Sequence, residues 1–162
     1  MTDPTSTASS PANAPAASRR SGIDRMRRAS FGALVALLIE YGLGIGVNLF
    51  VNVPDADHNS GMGAAFGKAM SNGPAALAVH AGVGLLLIVN AVVVLVQALT
   101  SRLRLAAVTS AAGLLCVLGA AFSGATFVDK GQNSASMTMA VLTGVALFCY
   151  ALNLFTLGSH EH

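Results

Sequence analysis

Glu40 is the residue of this sequence that most needs a chemical explanation, because it lies within a long apolar stretch at residues 31–53. A carboxyl group inside a membrane is costly and usually marks a functional site, here a candidate proton or cation site. The alternative is a neutral carboxyl group that hydrogen-bonds Asn90 or a backbone carbonyl and so joins two helices, since burial favours the uncharged acid. Glu40 and Asn90 are therefore the candidate residues of a proton or cation site.

Other polar side chains occur in the same two apolar stretches, at Asn48, His80 and Gln97. At 1.5 Å per helical residue, Glu40 and Asn90 lie about 20 and 24 Å from the same membrane face. Asn48 and His80 lie about 8–9 Å from that face. The sequence therefore predicts one polar layer of Glu40 with Asn90 and a second of Asn48 with His80. Gln97 shares the face of Asn90 and continues this polar path.

His80 is the histidine that falls inside an apolar stretch, where it suits a haem ligand, a proton relay or a hydrogen bond between helices. A bis-histidine haem needs a second histidine at the same depth, and no other histidine of the sequence lies in such a stretch. Methionine is an alternative second ligand, and soft ligands also suit Cu(I). The candidate metal ligands are His58, Met62, His80, Met137 and Met139. Their spacing matches no compact metal motif, so a packed, hydrogen-bonded His80 is favoured and no cofactor is predicted, with haem b and copper as alternatives.

The sequence contains no nucleophile elbow, HExxH motif or phosphate-binding loop, so we expect a protein that is not an enzyme. Its two cysteines, Cys116 and Cys149, both fall inside apolar stretches. Free cysteine is commonly a small buried residue, and we assign that role to both.

The composition indicates that a bilayer is the solvent for most of the chain. Of 162 residues, 54% are hydrophobic and 10% are charged, whereas soluble domains carry about 25% charged residues. The net charge of +2 gives no reason to expect nucleic acid as a partner.

Four apolar segments have the roughly 20 residues that a bilayer-spanning helix requires, at about 31–53, 74–100, 105–128 and 134–157. Polar and apolar residues do not alternate in them, which argues against barrel strands. The predicted fold is all-α, an integral membrane four-helix bundle over residues 31–157. A disordered polar leader with a basic juxtamembrane cluster is expected at 1–30, and a short cytoplasmic tail at 158–162.

The distribution of arginine and lysine predicts the orientation. Seven of the nine basic residues precede the first span or lie between the second and third. Because positive charge stays in the cytoplasm, both termini are expected there, in a plasma membrane. The loop of about twenty residues after the first span then faces outward, and a short interfacial helix around Phe66 is expected within it.

Small residues spaced four apart let membrane helices approach closely. Such pairs occur at Gly42 and Gly46 and at Ala140 and Gly144. The third span has a longer row of small residues at Ala112, Cys116, Ala120 and Gly124. We expect these rows to face the bundle interior, with leucine, valine and isoleucine facing lipid.

Three stretches, GIGVNLFVNVP at 44–54, HAGVGLLL at 80–87 and SASMTMA at 134–140, resemble those of small four-span bacterial membrane proteins of unassigned function. A second likeness is in ALLIEYGLG at 36–44, which is similar to the first helix of small multidrug-resistance exporters. This second resemblance implies that Glu40 binds protons and cationic drugs in exchange. The chain differs from those exporters in its long leader, its long first outer loop and its lack of tryptophan.

The first functional hypothesis is a non-enzymatic integral membrane protein that acts as an accessory or structural partner in a membrane complex. Self-association or contact with other membrane proteins would then be its role. The second hypothesis is a proton-coupled carrier of small molecules that uses Glu40. The third is haem or copper binding through His80 and the outer methionine and histidine residues.

Overall fold

The structure is a computed structural model that describes residues 14–50, 61–71, 74–130 and 133–158. Within these ranges the protein is all-α, as the sequence predicts. The helices are α1 (Ala14–Phe50), α2 (Met62–Ser71), α3 (Ala75–Thr100), α4 (Arg104–Lys130) and α5 (Asn133–Gly158). Four of them, α1, α3, α4 and α5, are long and apolar enough to cross a membrane. The short α2 is the helix expected around Phe66.

The four long helices form a bundle with each helix between two antiparallel neighbours. α1 packs against α3 and α5, and α4 packs against the same two helices. Chain order therefore runs up, down, up and down around the bundle, and the α3–α4 and α4–α5 connections are short, as is usual between antiparallel neighbours. The turn from α3 to α4 is tight and holds Arg102 at a left-handed φ of 57°.

In each long helix, the side chains that face the bundle axis are alternately three and four residues apart in the sequence. This spacing returns a side chain to the same helix face every seven residues and is typical of helices packed side by side in a left-handed bundle. Large apolar side chains such as Leu86, Leu115 and Phe155 point away from the bundle. We call the inward rows the seam. Its buried members include Met26, Ser30, Ala33, Leu37, Gly44 and Val47 on α1, Leu77, Leu87, Ala91, Val94 and Ala98 on α3, Ala106, Ser110, Gly113 and Val117 on α4, and Thr143, Ala146, Tyr150, Asn153 and Leu157 on α5.

The predicted small-residue contacts are wrong at Gly42, Gly46 and Gly144, because the seam runs along a different face there. A Cβ atom on any of these three glycines would meet no atom of another described helix within 4 Å. On α4, by contrast, the predicted row does face the bundle interior, since Cys116 packs against the buried core cluster and a Cβ on Gly124 would lie 3.2 Å from the Met139 sulfur. Close approach is provided by Gly113, whose Cβ would lie 3.0 Å from the Tyr150 ring.

The end where α1 begins and α3 meets α4 carries five exposed arginines, and we call it the basic end: Arg20, Arg25, Arg28, Arg102 and Arg104. A disordered leader is expected here up to residue 30, but α1 already begins at Ala14, so residues 14–30 are helical. The reason is that the seam continues into this region. Met26 is 1% exposed and packs with Ala98, Ala106 and Leu157. The expected disorder of residues 1–13 lies outside the described residues.

Polar contacts tie the helices together in the half of the bundle nearest the basic end. The side-chain amide of Asn153 on α5 donates to Ser30 Oγ on α1 at 3.2 Å and to Ser110 Oγ on α4 at 3.0 Å. All three residues are fully buried. The Asn90 amide on α3 donates to the Ala29 carbonyl of α1 at 3.2 Å. In an apolar surrounding, such hydrogen bonds between helices favour one orientation of each helix about its own axis.

At the opposite end, α2 packs against α3 and α4. The backbone N–H of Gly61 donates to Asp129 Oδ1 at 2.8 Å, and Gly61 has a φ of 87° that favours glycine. Asp129 is 5% exposed. This buried acid at the end of α4 therefore holds the start of α2 in place.

Candidate functional site

Glu40 and His80 meet in the structure on the facing seams of α1 and α3. Nδ1 of His80 lies 3.1 Å from Oε1 of Glu40, and the side chains are 16% and 13% exposed respectively. The two atoms are within ion-pair distance, but they lack hydrogen-bond geometry. The pair is therefore an ionic contact when His80 is protonated and Glu40 is ionised.

Each member of the pair sits against a glycine of the other helix. A Cβ on Gly84 of α3 would lie 3.0 Å from Glu40 Oε1, and a Cβ on Gly44 of α1 would lie 3.3 Å from His80 Cε1. Each glycine comes four residues after the polar residue of its own helix. Because α1 and α3 are antiparallel, Glu40 of α1 fits beside Gly84 of α3, and His80 of α3 fits beside Gly44 of α1.

The pair leaves hydrogen-bonding capacity unused. Oε2 of Glu40 is buried and has no hydrogen-bond partner among the described residues, and Nδ1 of His80 has no aligned partner there. Buried polar atoms without partners are uncommon, and a functional role is one explanation for them. A carboxylate beside an imidazole can accept hydrogen bonds, hold a cation or share a proton between the two groups.

The pair lines an open cavity of about 320 Å³ to which all four long helices contribute residues. The cavity lies in the half remote from the basic end, between residues 37–49 of α1, 77–88 of α3, 117–128 of α4 and 136–143 of α5. Its wall on α4 is made mainly of small residues, namely Ala120, Ala121, Gly124 and Ala125. Apart from the pair, its polar lining residues are Tyr41, Asn48, Ser136 and Thr143.

Asn48 has a partner from α5, since Ser136 Oγ donates to Asn48 Oδ1 at 3.1 Å. This bond bridges α1 and α5 at the outer part of the cavity wall, and Asn48 is exposed. The cavity thus has two polar places, the Glu40–His80 pair and the Asn48–Ser136 bond, separated along α1 by two helical turns.

The predicted pairing of polar layers is wrong. Glu40 contacts His80 rather than Asn90, and Asn48 contacts Ser136 rather than His80. Asn90 lies about 15 Å along α3 from His80 at 1.5 Å per residue and bonds Ala29 instead. The prediction sets Val53 and Pro74 at one depth, but the contacts of Glu40 with Gly84 and of His80 with Gly44 show a register between α1 and α3 that differs from it by several residues.

Gln97 does not continue a path from the pair. It is absent from the cavity lining, and its side-chain Oε1 is buried without a hydrogen-bond partner in the described part of the chain. The polar path predicted along α1 and α3 is therefore divided between the cavity and the basic half of the bundle.

The candidate metal ligands are not brought together as a set. His58 and the side chain of Met62 lie outside the described residues. Met137 is 72% exposed on the outer face of α5, whereas Met139 lines the cavity with His80. Among the described histidine, cysteine and acidic residues, no three or more cluster as a metal site does.

Sequence reasoning missed the two glycines that make the pair possible. The signal was present in the spacing: α1 reads Leu37, Glu40, Gly44 and Val47, and α3 reads Leu77, His80, Gly84 and Leu87 at the same intervals. Aligning these two patterns in antiparallel sense places each polar residue opposite the other helix's glycine.

Comparisons with protein-family models, with curated proteins and with solved structures found no match for this chain.

Proposed function

We propose that this protein spans a membrane and binds a small, largely apolar molecule in the cavity between its four helices, with Glu40 and His80 as the polar anchor. The observation that carries this proposal is the placement of an incompletely hydrogen-bonded acid–histidine pair on the wall of an otherwise mostly apolar cavity. Small-molecule sites typically combine apolar walls with a few convergent polar groups. The cavity of about 320 Å³ suits a ligand of modest size.

Ligand entry is from the half of the molecule remote from the basic end. Toward the basic end the bundle axis is filled by fully buried side chains, among them Val94, Ala146 and Tyr150. A proton-coupled carrier would have to open this packed half, with Glu40 and His80 exchanging the coupled proton. The cavity favours this carrier hypothesis over a purely structural accessory role, because helix association alone requires no cavity at the helix interface. The proposed activity is non-enzymatic.

Ligand binding by the purified full-length protein in detergent tests the proposal. A panel of small apolar amines, alcohols and neutral compounds is screened by native mass spectrometry and thermal shift. For the best ligand, Glu40→Gln and His80→Gln are expected to weaken binding on the order of tenfold each, as loss of a charged hydrogen bond does. Asn90→Ala is the matched control, since Asn90 is polar and intramembrane but does not line the cavity. Binding by both site variants at wild-type affinity would refute the anchor.

We further propose a plasma-membrane location with both termini in the cytoplasm. Five exposed arginines at the basic end support this orientation, since positively charged segments are retained in the cytoplasm. Single cysteines placed at residues 20 and 130, in a variant without Cys116 and Cys149, are expected to react with an impermeant maleimide in intact cells only at residue 130. The reverse labelling pattern would contradict the orientation.

A further inference from the structure

The basic end has a second cavity, separate from the Glu40–His80 site. It measures about 290 Å³ and lies between the α3–α4 turn and the end of α5. Its lining residues are Arg102, Leu103, Arg104, Leu105, Ala106, Thr156 and Leu157. Two guanidinium groups thus flank a cavity whose remaining walls are mainly apolar.

The two arginines have no anionic partner in the described part of the chain. Both are exposed, and neither has a carboxylate there within ion-pair distance. The turn conformation is unusual for arginine, since Arg102 has a φ of 57°, a region that side chains with a Cβ seldom occupy. The fold therefore holds two positive groups two residues apart at the mouth of one cavity.

The positive potential of this end is reinforced by α1. Ser101 Oγ contacts the Met26 sulfur at 3.9 Å, so the α3–α4 turn lies beside the basic stretch of α1. That stretch carries exposed Arg20, Arg25 and Arg28, with Asp24 as its acid. An anion approaching the cavity mouth meets a strongly positive surface.

We propose that this cavity binds the phosphate-bearing headgroup of an anionic phospholipid, with Arg102 and Arg104 as its ligands. The planar guanidinium group pairs with phosphate oxygens through two parallel hydrogen bonds. The cavity lies where membrane-crossing helices end, which is the depth of lipid headgroups. Leu103 and Leu105 offer an apolar wall for the first acyl carbons, a feature that a soluble phosphate would not use.

The test measures lipid binding to the full-length protein in detergent by native mass spectrometry and by thermal shift. Phosphatidylglycerol, phosphatidylcholine of the same acyl chains, and inorganic phosphate are compared. The wild-type protein is expected to bind phosphatidylglycerol preferentially. The double variant Arg102→Gln/Arg104→Gln is expected to bind it on the order of tenfold more weakly, because it removes both guanidinium groups that hydrogen-bond the phosphate.

The matched control is Arg25→Gln/Arg28→Gln, which removes the same charge from the basic end but not from the cavity. It is expected to keep most of the wild-type affinity. Equal weakening by both double variants would show a general charge effect and overturn the site. Stabilisation by inorganic phosphate equal to that by phosphatidylglycerol would overturn the lipid assignment. If the cavity variant does not fold, Arg104→Lys serves in its place, and its unchanged affinity would contradict bidentate binding.

Discussion

At the scale of single residues, two glycines decide whether Glu40 and His80 can meet. The Cβ of any other residue at position 84 would lie 3.0 Å from Glu40 Oε1, closer than carbon and oxygen normally approach. Gly44 has the same relation to the His80 ring at 3.3 Å. Neither glycine is needed for a left-handed backbone, since both lie inside helices. Their role is to leave room for a polar side chain of the other helix.

Gly84→Ala is predicted to separate the pair. Alanine gains about 0.5–1 kcal/mol over glycine in a helix, but here the added methyl group pushes the Glu40 carboxyl group away from His80. Gly82→Ala is the control, because its Cβ would meet no atom of another described helix within 4 Å. We expect Gly82→Ala to raise the melting temperature, and Gly84→Ala to leave it unchanged or lower it. Equal stabilisation by both substitutions, with unchanged ¹⁵N shifts of the His80 ring, would show that the glycine gap is unimportant.

At the scale of helices, the sequence predicts the helices better than their contacts. Apolar length identifies the four long helices, and the short helix expected around Phe66 in the outer loop is α2. Helix rotation is harder to predict, because a membrane helix is apolar on its lipid face as well as its buried face. The Gly42 and Gly46 row therefore looked as suitable for packing as the true seam through Gly44.

Helix register was also beyond the sequence argument. The ends of an apolar segment locate a residue's depth only to within one or two helical turns, and a difference of that size changes which residues meet. Only the reciprocal spacing of Glu40 with Gly44 and of His80 with Gly84 carries register information. Those four positions align α1 and α3 in one way, and the structure adopts that alignment.

The reciprocal spacing predicts that the two polar residues can exchange places. Glu40→His alone sets two histidines together and His80→Glu alone sets two acids together, so each single variant should lower the melting temperature. The double variant Glu40→His/His80→Glu restores an acid–histidine pair between the same two glycines. We expect it to recover at least half of the lost stability, corresponding to a coupling free energy of about 1 kcal/mol or more. Additive losses in this double-mutant cycle would contradict a specific pair.

At the scale of the whole molecule, the bundle axis is filled in the half nearest the basic end and hollow in the other half. Near the basic end, large buried side chains such as Met26, Tyr150 and Leu157 occupy the axis, and Asn153 joins three helices through its hydrogen bonds with serines. In the other half, α4 contributes only small residues to much of the wall. This change of side-chain size along α4 produces the cavity at a level where Glu40 and His80 can line it.

Filling the hollow half should therefore abolish ligand binding without disturbing the polar pair. Ala120 lines the cavity from α4, and Ala120→Phe places an aromatic ring inside that cavity. Added dispersion contacts are expected to keep stability unchanged or raise it by about 1 kcal/mol, while ligand affinity falls at least tenfold. Ala151→Phe is the control, because Ala151 is exposed on α5 and the same ring there points away from the cavity. Wild-type affinity in Ala120→Phe would mean that ligands bind elsewhere, since a bound molecule and the new ring would compete for the same volume beside Glu40.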